Sequence, residues 1–98
     1  MNKALFTVLL GSAMVVGCAQ HKATVDAEGT VEQPIKMEQV PQVVMFSFQK
    51  DHPRITPKKI KKETYTDGTV HYEFEWSGAN GAEVEAAYNV EGELLDSH

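Results

Sequence analysis

Apolar and polar positions alternate strictly along Thr69–Trp76, where Val70, Tyr72, Phe74 and Trp76 interleave with Thr69, His71, Glu73 and Glu75. Successive strand side chains point to opposite faces, so this stretch predicts a half-buried antiparallel strand with an aromatic face and an acidic face. Ala82–Val90 alternates in the same way, with Val84, Ala86, Tyr88 and Val90 on one side and Glu83 and Glu85 on the other. Upstream lies the lysine-rich run Lys58–Lys62, separated from the aromatic strand by Thr66-Asp67-Gly68. Asp-Gly between two alternating runs is a hairpin signal. A two-residue loop would pair Ile60 with Glu75 and place an isoleucine among acids. A three-residue loop, Thr66–Gly68, with Gly68 in the left-handed conformation pairs Ile60 with Phe74, Lys61 with Glu73 and Lys59 with Glu75, which satisfies both faces. Glu91-Gly92 marks a last turn, leaving Glu93–Asp96 as a short fourth strand.

Helical spacing occurs once in the folded part. Val40, Val44 and Phe48 recur at four-residue intervals, Pro41 suits a first turn and Pro53 enforces a stop, which predicts a helix over Pro41–Asp51. The adjacent β-branched Val43 and Val44 lower its intrinsic propensity, and a strand is the alternative. These elements predict an α+β fold: one N-terminal helix packed on a three- to four-stranded antiparallel β-meander. Its expected core is Val44, Phe48, Ile60, Val70, Tyr72, Phe74, Trp76, Val84, Ala86, Tyr88 and Leu94.

The beginning of the chain changes the picture of where this domain works. Lys3 precedes an apolar run over residues 4–16 that is shorter than the roughly 20 residues a spanning helix needs, which fits the hydrophobic region of a signal peptide. Val15-Val16-Gly17-Cys18 resembles the bacterial lipobox, whose cysteine is lipidated and becomes the new N-terminus. An ordinary secretory signal cleaved near Gly17 or Ala19 is the alternative. The chain has one cysteine, so an internal disulfide has no partner and lipidation is its natural use. The expected organisation is a lipoprotein signal peptide at 1–17, a lipidated Cys18 with a flexible tether through 39, and a domain at 40–98. The tether lacks aromatic residues and periodicity, and as a coil of about 21 residues it would span roughly 25 Å. Ala19 after the cysteine suggests the outer membrane, facing the periplasm, in an organism with two membranes.

The sequence from Val40 onward resembles the PepSY-like family of small exported bacterial domains, described as β-lactamase-inhibitor-like. The resemblance rests on Phe48-Gln-Lys-Asp-His-Pro53 closing a helix, the lysine-rich strand, Asp67-Gly68, the strand His71–Glu75, and Tyr88-Asn-Val-Glu-Gly-Glu-Leu-Leu95. It covers about residues 40–96 and implies a helix followed by three or four antiparallel strands. Asn89 stands where an Asp is usual, and the chain has a single unit where the inhibitors of the family carry two in tandem.

The net charge of −5 and the exported address argue against nucleic acid. His21, His52, His71 and His98 show no metal-ligand spacing, and no nucleophile set or phosphate-binding loop is present, so the sequence predicts no catalysis, no cofactor and no metal centre. Glu73, Glu75, Glu83 and Glu85 share a face, but Ca²⁺ takes 6–8 oxygens and neutralisation by Lys59 and Lys61 is the simpler account. The lysine run serves either as a patch for anionic headgroups or an acidic partner, or as protection of an edge strand. The candidate binding surface is therefore Lys59, Lys61, Tyr65, His71, Glu73, Glu75, Glu83 and Glu85. The expected function is a non-enzymatic, lipid-anchored envelope module that recognises a protein or peptide through this sheet face or an edge. The alternatives are an inhibitor or regulator of an exported peptidase or hydrolase, and a divalent-ion or envelope-stress sensor.

Overall fold

The computed structural model describes residues 22–98. The signal peptide over 1–17, the lipidation site Cys18 and His21 lie outside the described residues. The chain forms a six-stranded antiparallel sheet in the order of the sequence: β1 Thr24–Val25, β2 Val31–Pro34, β3 Lys59–Thr64, β4 Val70–Ser77, β5 Glu83–Asn89 and β6 Leu94–Ser97. One α-helix, α1 Gln42–Asp51, is inserted between β2 and β3 after a short 3-10 turn at Met37–Gln39. Among the described residues no helix is long and apolar enough to cross a membrane.

This corrects the expected fold. The helix is not N-terminal to the sheet, and the sheet has six strands rather than three or four. Both extra strands come from the stretch expected to be a flexible tether. Val31–Pro34 pairs in antiparallel register with Thr64–Lys61, and the Ile35 amide donates to the Ile60 carbonyl at 3.0 Å. An aromatic-free segment thus completes the backbone ladder of a lysine-rich edge, with Ile35 packed against the core.

The register of β3 on β4 follows the alternation in the sequence: Ile60 faces Phe74, Lys61 faces Glu73 and Lys59 faces Glu75. The loop between them has three residues, with the Tyr65 amide bonded to the Thr69 carbonyl at 2.8 Å and Gly68 at a φ of 91°. A positive φ there is readily adopted only by glycine, which fixes the loop length and hence the faces.

Strand alternation then sends Ile60, Tyr72, Phe74, Trp76, Ala86 and Tyr88 to one face, where Val40, Val44 and Phe48 close over them. Phe48 stacks on Phe74 with ring centroids 4.2 Å apart and meets Trp76 and Tyr88 edge-on. Phe48, Phe74 and Tyr88 are fully buried, each contributing on the order of 1.5–3 kcal/mol of burial. The Tyr88 hydroxyl donates to Asp51 Oδ2 at 2.8 Å, tying the helix end to β5 and holding the phenol well above its ordinary range, chiefly through burial and then through that bond. Leu94 does not join this core: it is 51% exposed on the outermost strand β6. Val40 belongs to the core but precedes the helix, with Pro41 in the cap position.

Candidate functional site

Three rows of side chains cross the sheet face opposite α1. The register sets Glu32, Glu63, His71 and Asn89 in one row, Lys61, Glu73, Ala87 and Asp96 in the next, and Lys59, Glu75 and Glu85 in the third. The third row continues to His98, whose amide and carbonyl both bond to Glu85.

Lys61 is central. Its Nζ lies 3.2 Å from Glu73 and 3.4 Å from Glu32. Partial burial acts against its charge, but bonding to Glu73 and the charges of Glu73 and Glu32 outweigh that and hold the ammonium above its ordinary range. Lys59 sits 3.7 Å from Glu75. Lys58 and Glu83 pair at 2.5 Å, which raises the lysine and lowers the carboxyl. On the other side of Lys61 the Tyr65 hydroxyl donates to Glu63 at 3.4 Å, and its ring meets His71 edge-on at 4.7 Å.

These pairs leave an acidic surplus, since Glu32, Glu63, Glu73, Glu75 and Glu85 outnumber Lys59 and Lys61. One oxygen from each of Glu73, Glu75 and Glu85 falls within 4.8 Å of the others. The strain of that crowding shows in protonation: Glu85 is raised first by a hydrogen bond with Glu75, then by burial and by the charges of Glu73 and Glu75. Glu63 is raised by burial and then by Glu73 and Glu32. Three carboxylates on an open sheet supply fewer oxygens than a Ca²⁺ shell takes, and a shared proton answers their crowding more simply.

The face therefore gathers the sequence-predicted residues Lys59, Lys61, Tyr65, His71, Glu73, Glu75 and Glu85, while Glu83 is set at its margin and committed to Lys58. Sequence reasoning missed Glu32, Asp96 and the participation of His98. Glu32 was hidden by the assignment of its segment to a tether. The available signal was Asp26-Ala27-Glu28-Gly29, an Asx-x-x-Gly turn of the same form as Asn89-Val90-Glu91-Gly92. Chemically the face offers charge complementarity over an open sheet surface. No family model, curated protein or solved structure matches this chain.

Proposed function

We propose that this chain is a non-enzymatic, lipid-anchored cell-envelope module, held to the membrane through Cys18, whose bare sheet face recognises a cationic segment of an envelope protein. The carrying observation is that Glu32, Glu63, Glu73, Glu75 and Glu85 outnumber Lys59 and Lys61 on this face, with oxygens of Glu73, Glu75 and Glu85 crowded within 4.8 Å of one another. A lysine or arginine brought by a partner would relieve that repulsion, so binding is favoured by what the free face lacks. The edges suit a partner strand less well. β1 has two residues, and the Ser97 amide on β6 is occupied by Asp96 Oδ1 at 3.0 Å. The PepSY-like resemblance is part of the proposal for the α1-to-β6 portion, where the helix, lysine-rich strand, Asp-Gly turn and aromatic strand follow in order.

Photo-crosslinking in intact cells tests this. A photoreactive residue in place of Ala87, beside Glu73 on the face, is expected to give a discrete adduct with one envelope protein. The same residue in place of Gln49, on the exposed side of α1, is expected to give none. Glu73→Lys with Glu85→Lys should reduce the adduct at least tenfold. An adduct of equal yield from both positions, or one indifferent to the charge reversal, contradicts the proposal.

A further inference from the structure

The ordered strands β1 and β2 set the start of the described chain, Lys22, at one particular end of the sheet. Thr24 pairs with Glu32, and antiparallel to β2 the chain leads backward from Thr24 toward the Pro34 end. Lys22 is four residues from Cys18, a span of at most roughly 14 Å at ~3.6 Å per residue. The roughly 25 Å stand-off expected from a tether of about 21 residues therefore does not apply.

That end gathers lysines around a groove. Exposed Lys22 and Lys36 make no ion pair among the described residues, and Lys59, 62% exposed, has only a loose contact with Glu75. Between the Pro34–Met37 and Pro57–Ile60 segments lies an open groove of about 310 Å³, with Pro34, Ile35, Pro57 and Ile60 as apolar wall and Lys36 and Lys59 at its mouth. Met37 and Ile55 are exposed nearby in the chain, at 40% and 36%. The carboxylates of the same end, Glu75, Glu83 and Glu85, sit on the β4–β5 side, and Glu75 and Glu83 already face Lys59 and Lys58. Glu38, exposed on the 3-10 turn, is the acidic group nearest Lys36 in sequence.

The opposite end is acidic. The β1–β2, β3–β4 and β5–β6 turns all lie there and carry Asp26, Glu28, Asp67, Glu91 and Glu93 without a lysine or arginine. The fourth hairpin turn, Gly78–Ala82, lies at the groove end and is uncharged. Charge is thus polarised along the strands: Lys22, Lys36, Lys58 and Lys59 match Glu38, Glu75, Glu83 and Glu85 at the groove end, whereas the opposite end is acidic without compensation.

We propose that this end docks on the bilayer, the groove and its lysines receiving the anionic headgroups of phospholipids while the acidic turns point away from the membrane. The proposal rests on the Cys18 anchor and adds an orientation to it. A short link restrains the domain near the surface; within a Debye length of about 8–10 Å, attraction to the groove lysines and repulsion of the acidic turns then select the groove end. The bare sheet face stands roughly along the membrane normal, open to a partner.

The test uses the full lipidated chain, reconstituted in phosphatidylcholine vesicles with or without phosphatidylglycerol. Cys18 is consumed by lipid, so Met37→Cys or Asp67→Cys supplies a single free thiol for a nitroxide. A nickel chelate carried on lipid headgroups should relax the label at 37 at least fivefold more than the label at 67 in the anionic vesicles. That contrast should fall toward unity in pure phosphatidylcholine and with Lys36→Glu and Lys59→Glu together. Equal relaxation at 37 and 67 in the anionic vesicles, or a contrast unaffected by either change of charge, overturns the docking. Mass spectrometry of the same preparation separates the two failures: a lipidated chain without contrast overturns the orientation alone, whereas a chain without acyl mass on Cys18 overturns the anchor and the docking together.

Discussion

Gly92 shows how much of this fold rests on single atoms. Its φ is 83°, and a Cβ placed there would meet Ser47 Oγ at 2.6 Å and the Val43 carbonyl at 2.9 Å, so the last turn lies directly against α1. Gly68 has a similar φ of 91° but nothing within 4 Å of a Cβ. Gly68→Ala should therefore cost only the left-handed conformation, about 1–2 kcal/mol. Gly92→Ala should cost that and the displacement of the helix, about 3 kcal/mol or more in total. Denaturant titration of both variants checks the order, and equal losses would show that the turn does not touch α1. Glu85 gives a second residue-scale prediction. Its carboxyl is raised by bonding with Glu75, burial and the charges of Glu73 and Glu75, so the folded chain keeps this proton to higher pH than the unfolded chain does. The corresponding stability is present below the ordinary carboxylate range and is lost as pH rises through the raised value. Glu85→Gln should remove that loss, leaving the variant more stable than wild type at pH 7, with the gap closing toward pH 4. Thermal melts across that range would contradict this if the gap widened on acidification.

At the scale of elements, the same device closes all four hairpins: a three-residue loop with glycine at positive φ, at Gly29, Gly68, Gly81 and Gly92. In the first and last, an Asx residue accepts two backbone amides across the turn. Asp26 Oδ1 takes those of Glu28 and Thr30, and Asn89 Oδ1 takes those of Glu91 and Glu93. The β3–β4 hairpin was legible because aromatic residues and opposed charges make only one register acceptable on both faces. The helix was legible to within a residue because Pro41 and Pro53 bracket it. The β1–β2 hairpin was not, because Val25, Val31 and Ile35 are too few to display a periodic face. Its order comes from pairing with β3, a partner distant in sequence, and such contacts leave no local pattern. The candidate site divides the same way: the residues on β3, β4 and β5 followed from alternation, while Glu32 required knowing that β2 joins the sheet.

For the whole molecule, one covered face and one bare face make a small domain whose stability depends on a thin aromatic layer under α1. Its charge is divided twice, acidic surplus from lysine across the bare face and basic groove from acidic turns along the strands. Both divisions depend on β2. It supplies Glu32 to the face, forms one wall of the groove, and shortens the link to Cys18. Amide hydrogen exchange on the full chain tests that pairing directly. The amides of Val31, Gln33 and Ile35 should be protected to nearly the same degree as those of β3 and should exchange through global opening. Exchange of these amides at the rate of an unstructured chain, while Tyr72–Trp76 remain protected, would contradict the six-stranded sheet and the functional surfaces built on it.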